Sequence, residues 1–328
     1  MSREERSSLV ALPLVVAAGA GVAVAGAQGG ASVGGLPVFV VCVGLAFAVQ
    51  WVAFLPALLL RTERFYDLTG SATFITVTAV AVALGPVPDA RSYLLLAMVV
   101  VWAARLGGYL SRRVRRAGGD ARFDDIKASA VRFLLTWTLQ GLWVTLTLAA
   151  ALAAITTTVR EGVGWLGAAG VVVWCLGFTL EAVADAQKSR FRADPANRGR
   201  SISGGLWALS RHPNYFGEIV LWVGVALLAV PALRGWQWVT LVSPLFVYLL
   251  ITRVSGVPLL EKKADERWGG RPDYEEYKAC TPVLVPLPRR RGVRSRPAGQ
   301  RSPERPDRAN IASVGQADTG SARQKEVS

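Results

Sequence analysis

One histidine serves the whole chain, and it lies in the run richest in reactive side chains, Ser203-Gly-Gly-Leu-Trp-Ala-Leu-Ser-Arg-His212-Pro-Asn-Tyr-Phe-Gly-Glu218. The run sets Arg211, His212, Asn214, Tyr215 and Glu218 at the start of an apolar segment. Polar groups at the mouth of a membrane helix are costly and mark functional sites. Pro213 biases His212 to an extended conformation and suits the first turn of a helix. Asn214 and Glu218, four apart, then share a helix face, and Gly217 leaves room beside Asn214. The helix start offers free N–H groups to an anion. His212 can cap the helix or hydrogen-bond a ligand, and nothing in the run requires it to act as acid or base.

Upstream lies Lys188-Ser-Arg-Phe-Arg192-Ala-Asp-Pro195-Ala-Asn-Arg198-Gly-Arg200. Basic residues after a membrane span are the ordinary positive-inside signal. Here arginine nearly excludes lysine, and the rigid guanidinium fork suits phosphate oxygens. Pro195, Gly199, Gly204 and Gly205 break the helix and let backbone approach a ligand. The two runs together read as the holder of a nucleotide cofactor. Glu181 and Asp185 precede them, four apart on one face at the end of an apolar segment. The helix dipole opposes acids there. They suit a ribose hydroxyl, an amide or a basic side chain.

Asp67 stands at the entrance of another apolar segment, either as a helix N-cap or as a catalytic carboxyl. Trp102, Arg105 and Tyr109 share a helix face, and Arg105 snorkels if that face meets lipid. The basic run that ends at Arg116 opens a cytoplasmic loop, 112–127. Cys42, Cys175 and Cys280 are scattered, and with a single histidine they argue against a metal site.

The elements that must position these groups are membrane helices. Of 328 residues, 52% are hydrophobic and 18% charged, and apolar runs recur at the length that crosses a bilayer core of roughly 30 Å. The fold class is an all-α, polytopic membrane helical bundle with a cytoplasmic cofactor-binding end. Eight spans are expected at 9–27, 36–60, 68–85, 92–110, 133–156, 163–187, 214–232 and 236–252. The first is read as retained, not as a cleaved signal. With a cytoplasmic N-terminus, loops 28–35, 86–91, 157–162 and 233–235 lie outside and carry no basic residue beyond Arg91, Arg160 and Arg234. Both termini are then cytoplasmic, in a multi-pass integral protein of a bacterial-type inner membrane.

The net charge of +14 is read as this inner-face bias, not as nucleic-acid binding. Segments 1–60, 61–286 and 287–328 divide into N-terminal spans, a membrane domain and a disordered basic tail. Within 253–286, Gly269, Gly270 and Pro272 separate two short amphipathic helices suited to the membrane surface. The expected partners are a hydrophobic small-molecule substrate and membrane lipid, with no nucleic acid and no metal.

Leu206 to Glu218 resembles the signature of the steroid 5-alpha-reductase-like membrane family, in its bacterial DUF1295 branch. Arg105-Leu-Gly-Gly-Tyr109, Gly118-Gly-Asp-Ala-Arg-Phe123, Arg253-Val-Ser-Gly-Val-Pro-Leu-Leu-Glu261 and Tyr274-Glu-Glu-Tyr277 add to the resemblance. The His-Pro-x-Tyr-x-Gly core alone is shared with isoprenylcysteine and phospholipid methyltransferases. The resemblance implies an NADPH-dependent reductase of a conjugated C=C bond in a steroid- or lipid-like enone. It places Asp185, Arg192, Arg200, Asn214 and Glu218 at positions that contact or frame the cofactor. Glu181 falls where the steroid enzymes have an amide, and Arg253 on a basic position after the last span. Arg105, Arg116, Tyr215 and Glu261 are assigned to the same cofactor end, and His212 matches the methyltransferases and sterol reductases. On the substrate side Asp67 lies near the family's Glu position and Trp102 near its Tyr position, with Tyr109 as a replacement. Asp67 and Tyr109 are therefore the catalytic candidates. Two alternatives stand beside this: an S-adenosylmethionine-dependent membrane methyltransferase, and a non-enzymatic membrane protein.

Overall fold

Among the described residues, eight helices long and apolar enough to cross a membrane run between two polar ends. The computed structural model describes residues 2–117 and 123–288, without the side chains of 113 and 115–117. The Arg116 side chain, residues 118–122 of the Gly118 to Phe123 motif and nearly all of the expected tail lie outside the described residues. The chain begins with α1 (Arg3–Gly26), capped by reciprocal bonds between Ser2 and Glu5. Strands β1 (Ser32–Val33) and β2 (Leu36–Pro37) pair antiparallel, Ser32 opposite Pro37, and lead into α2 (Val38–Leu59). Then come α3 (Tyr66–Leu84), α4 (Ala90–Ala117), α5 (Ala130–Thr156), α6 (Gly164–Ala193) and α7 (Pro213–Ala229). The described chain closes with α8 (Val242–Leu249), α9 (Val257–Trp268) and α10 (Pro272–Cys280). The eight spans fall where the apolar runs predict them.

The polar ends divide as the charge pattern requires. At one end Arg132 pairs with Glu4 at 2.9 Å and Ser129 donates to Glu5, tying the starts of α5 and α1 together. At the other, Arg160 pairs with Asp89 at 3.5 Å, Arg234 pairs with Glu161, and Arg91 donates to the Gly162 carbonyl at 2.9 Å. The first end carries Lys188 to Arg211 and is the end of interest.

α5 is the central post. The side chains from Leu148 to Thr156 are all buried, and α1, α2, α3, α7 and α8 pack around the helix. Small alanines there allow close approach. The tightest pairing is α6 with α7. Gly170, Gly177, Gly217 and Gly224 recur at a spacing of seven, which keeps one seam facing its partner. A Cβ at Gly177 would lie 2.4 Å from the Leu221 nitrogen, and one at Gly217 2.6 Å from that of Glu181. Only glycine fits.

Three local expectations need correction. The N-cap of α3 is Phe65, so Asp67 lies inside the first turn rather than capping it. α4 continues to Ala117, so Arg112 is helical and the loop starts later; its charges simply extend the helix past the apolar stretch. The eighth span is not one α-helix. A 3-10 turn over 235–241 precedes α8, and a π turn over 250–254 follows, where Ser255 N–H reaches the Leu250 carbonyl at 2.9 Å. Gly256 and Pro258 then stop the helix, and α9 starts anew.

Candidate functional site

The site has two adjoining parts, both hung on the α6–α7 pair. In the first, Arg105 of α4 crosses to α6. Its Nη1 lies 3.0 Å from Asp185 Oδ2, and its Nη2 pairs with Glu181. Its guanidinium also lies 5.5 Å above the Phe178 ring. The face that carries Arg105 therefore meets α6 rather than lipid, which overturns snorkelling. It also selects, among the partners open to Glu181 and Asp185, a basic side chain. Glu181 is only 3% exposed, while Arg105 is partly buried, so the acid side of the ion pair lies inside the bundle.

The glycine seam brings α7 into the same cluster. Gly217 lies against the Glu181 backbone. The Asn214 side chain bonds to Asp185, and Glu218 interacts with Asp185, Glu181 and Arg105. Asn214 and Glu218 thus share the predicted face, and that face points at the acids of α6. Glu181 Oε2 and Asn214 Oδ1 have no partner here. Two unsatisfied acceptors can take a hydroxyl or amide donor.

The second part is a cavity of about 620 Å³ between the α6–α7 connection and α9–α10. Its basic lining comprises Lys188, Arg192, Arg198 and Arg200 from one side, Arg211 from the floor, and Lys263 and Arg267 from α9. Against them stands one carboxylate, Glu261. Trp207, Trp268, Tyr274 and Tyr277 supply aromatic walls. The helix breaks that shape it are those expected: α6 stops at Ala193, a 3-10 turn follows at Pro195–Asn197, and Gly199 adopts φ +77°. Such a lining has the charge to attract an anion and the aromatic surface to stack on planar rings.

His212 lies on this cavity and is buried. It occupies the N-cap position of α7, with Pro213 in the first turn, yet its side chain caps nothing. Its Nε2 lies 2.7 Å from Glu261 Oε1, and Glu261 Oε2 accepts from Arg211. Burial holds the imidazole below its ordinary pKa, against the upward pull of Glu261. A neutral ring beside a carboxylate carries its proton on Nε2, which leaves Nδ1 as an acceptor. Nδ1 has no partner. Tyr215 stacks on the ring at 5.7 Å.

The candidates therefore fall into sets. Arg192, Arg200, His212 and Glu261 line the cavity, with Tyr215 behind His212. Arg105, Glu181, Asp185, Asn214 and Glu218 form the buried cluster. Asp67 and Tyr109 are outside both. They sit at the same end of the α3–α4 pair, whose contact is fixed where Gly107 meets Ser71. Arg253 is exposed on the π turn. Trp102 is fully buried against Phe74 and Trp222, and its indole N–H has no partner. Sequence reasoning missed Lys263 and Arg267 as cavity residues. The four-residue spacing of Lys263 and Arg267 on an amphipathic helix was the available signal. Among the described residues, no group of three or more His, Cys, Asp or Glu side chains is arranged to hold a metal ion.

Comparison with known proteins fits this architecture. A stretch of 68 residues, 21% of this chain, is 32% identical to "Probable O-methyltransferase ustE" of Ustilaginoidea virens. The match spans about a quarter of that protein, 24% of its length. No solved structure matches the chain. The family model described as "Protein of unknown function (DUF1295)" matches residues 53–281, from the end of α2 past the end of α10 and across both parts of the site. The chain is a member of that family, whose proteins are steroid 5-alpha-reductase-like membrane proteins.

Proposed function

We propose that the protein is a membrane-embedded, NADPH-dependent reductase of a conjugated C=C bond in a steroid- or lipid-like enone. The observation that carries this reading is the charge of the cavity, seven basic side chains against Glu261 among the described residues. Guanidinium groups match the doubly bonded geometry of phosphate oxygens, and NADPH bears three phosphates. The residues fit the group in other respects. His212 Nδ1 and Asn214 Oδ1 are acceptors without partners, suited to its hydroxyls and amides. The aromatic walls suit its rings.

When bound, NADPH supplies hydride to the β-carbon of the enone. The chain's own residues bind and orient. Arg192, Arg198 and Arg200 neutralise phosphate, and the acid cluster around Arg105 frames the part of the ligand nearest the membrane. On the substrate side, Asp67 and Tyr109 are the proposed donors to the substrate carbonyl, where charge develops. Such a donor is worth roughly 3–4 kcal/mol of barrier.

A second reading is an S-adenosylmethionine-dependent methyltransferase. The identity shared with "Probable O-methyltransferase ustE" favours it, but S-adenosylmethionine carries no phosphate for these arginines.

A thermal-shift titration of the detergent-purified protein separates the two. At a hundredfold excess over Kd, NADPH should stabilise by about 2.7 kcal/mol, and Arg192→Ala or Arg200→Ala should abolish the shift. Stabilisation by S-adenosylmethionine and not NADPH would replace the reductase with the methyltransferase.

A further inference from the structure

The two walls of the basic cavity belong to separately anchored segments, the 194–202 turn after α6 and the α9–α10 pair. They meet across the rim at the Gly199 carbonyl. The Gly199 carbonyl accepts from Trp268 Nε1 at 2.8 Å and from Arg271 Nη1 at 2.8 Å. Gly199 is in the left-handed region, φ +77°, where other residues are strained. Its neighbours Arg198 and Arg200 both line the cavity. Arg271 does not line it. Its remaining nitrogens are held by Asp273, Nη2 at 3.0 Å from Oδ2 and Nε at 3.3 Å from Oδ1. Arg271 is thus a bracket that links the start of α10 to the turn that bears two cavity cations.

We propose that Arg271 and Trp268 are positioning residues for anion binding: by pinning the Gly199 carbonyl they hold the Arg198 and Arg200 guanidinium groups on the cavity wall. The dinucleotide reading is needed only to name the anion. Without the bracket the turn is tethered on one side, and its two cations must be reordered each time an anion binds. That ordering cost appears as weaker binding and faster release.

The test uses the full-length protein in detergent, with inorganic pyrophosphate and NADPH as probes in calorimetric titrations and with amide hydrogen exchange. Arg271→Ala should weaken pyrophosphate binding by roughly tenfold, the loss of one charged hydrogen bond. Exchange should speed up at 198–202 and stay unchanged in α6 and α7. Arg271→Lys, which keeps a charged donor, should recover most of the affinity. Trp268→Phe, which keeps the ring and removes only the donor, should show the same exchange change in milder form. Unchanged affinity and exchange in Arg271→Ala would overturn the proposal, as would failure of Arg271→Lys to recover either. If wild type binds pyrophosphate but not NADPH, and the variants behave as expected, the bracket stands and the dinucleotide reading falls. If wild type binds neither, both fall.

Discussion

Glu261 bridges His212 and Arg211: one carboxylate oxygen lies 2.7 Å from His212 Nε2 and the other accepts from Arg211 Nη1. The bridge joins the start of α7 to α9 across 49 residues of sequence. It gives the carboxylate that lines the cavity among the described residues a structural task, so Glu261 need not oppose a bound anion. Glu261→Ala should leave Arg211 and His212 without their acceptor and cost about 1–3 kcal/mol in chemical unfolding. Glu261→Gln, which still accepts, should cost less. Equal losses in the two variants would show that the contact is packing alone.

His212 also gives stability a pH dependence with a definite sign. Burial depresses its pKa from the ordinary 6.5. Above that value the ring is neutral in folded and unfolded chains alike and contributes nothing. As pH falls below it, the unfolded chain takes up a proton that the folded chain declines. Stability is therefore lost on acidification, by up to about 1.4 kcal/mol per pH unit. The offset between the unfolding midpoints of wild type and His212→Asn should be constant at neutral and alkaline pH and should change only on the acid side. As the chain's sole histidine, its ring can be read directly by NMR, where the Nε2–H tautomer is expected.

Arg105 compensates two buried acids. Arg105→Met should leave Glu181 and Asp185 buried without their guanidinium partner and destabilise the protein by roughly 3–5 kcal/mol. Adding Glu181→Gln and Asp185→Asn should return part of that loss, because neutral amides need no counter-charge. Thermal unfolding in detergent compares the single and triple variants. A triple variant no more stable than Arg105→Met would show that the loss comes from packing.

Glycine positions should separate sharply. Gly177→Ala forces a Cβ to within 2.4 Å of backbone and should cost about 1–3 kcal/mol. Gly21→Ala, in α1 with nothing within 4 Å, should stabilise by roughly 0.5–1 kcal/mol through helix propensity. Circular-dichroism melts of the two variants check the contrast.

Much of this was legible in the sequence. The eight spans and the two polar ends follow from apolar length and from the placement of arginine, both set by transfer to and from a bilayer. The Lys188 to Arg200 run and its breaks at Pro195 and Gly199 mark one wall of the cavity. Pairings were not legible. Glu181 and Asp185 suited three partners equally, and only the rotation of α4 about its axis turns Arg105 toward them. The union of His212 with Glu261 depends on where the eighth span breaks. An apolar count cannot see a π turn at 250–254, because hydropathy is blind to which carbonyl an N–H chooses. Asp67 was ambiguous for a similar reason, since cap and first-turn positions differ by one or two residues.

The seam of Gly170, Gly177, Gly217 and Gly224 has a consequence for how such a protein diversifies. With backbone set against backbone at these glycines, α6 and α7 behave as one stiff plank, and the polar groups at its end keep fixed mutual spacing. A lineage adapting to a new lipid cannot re-aim those groups by degrees. Change must come from the helices that pack on the plank, α4, α5 and α8, or from the surface segments that roof the cavity.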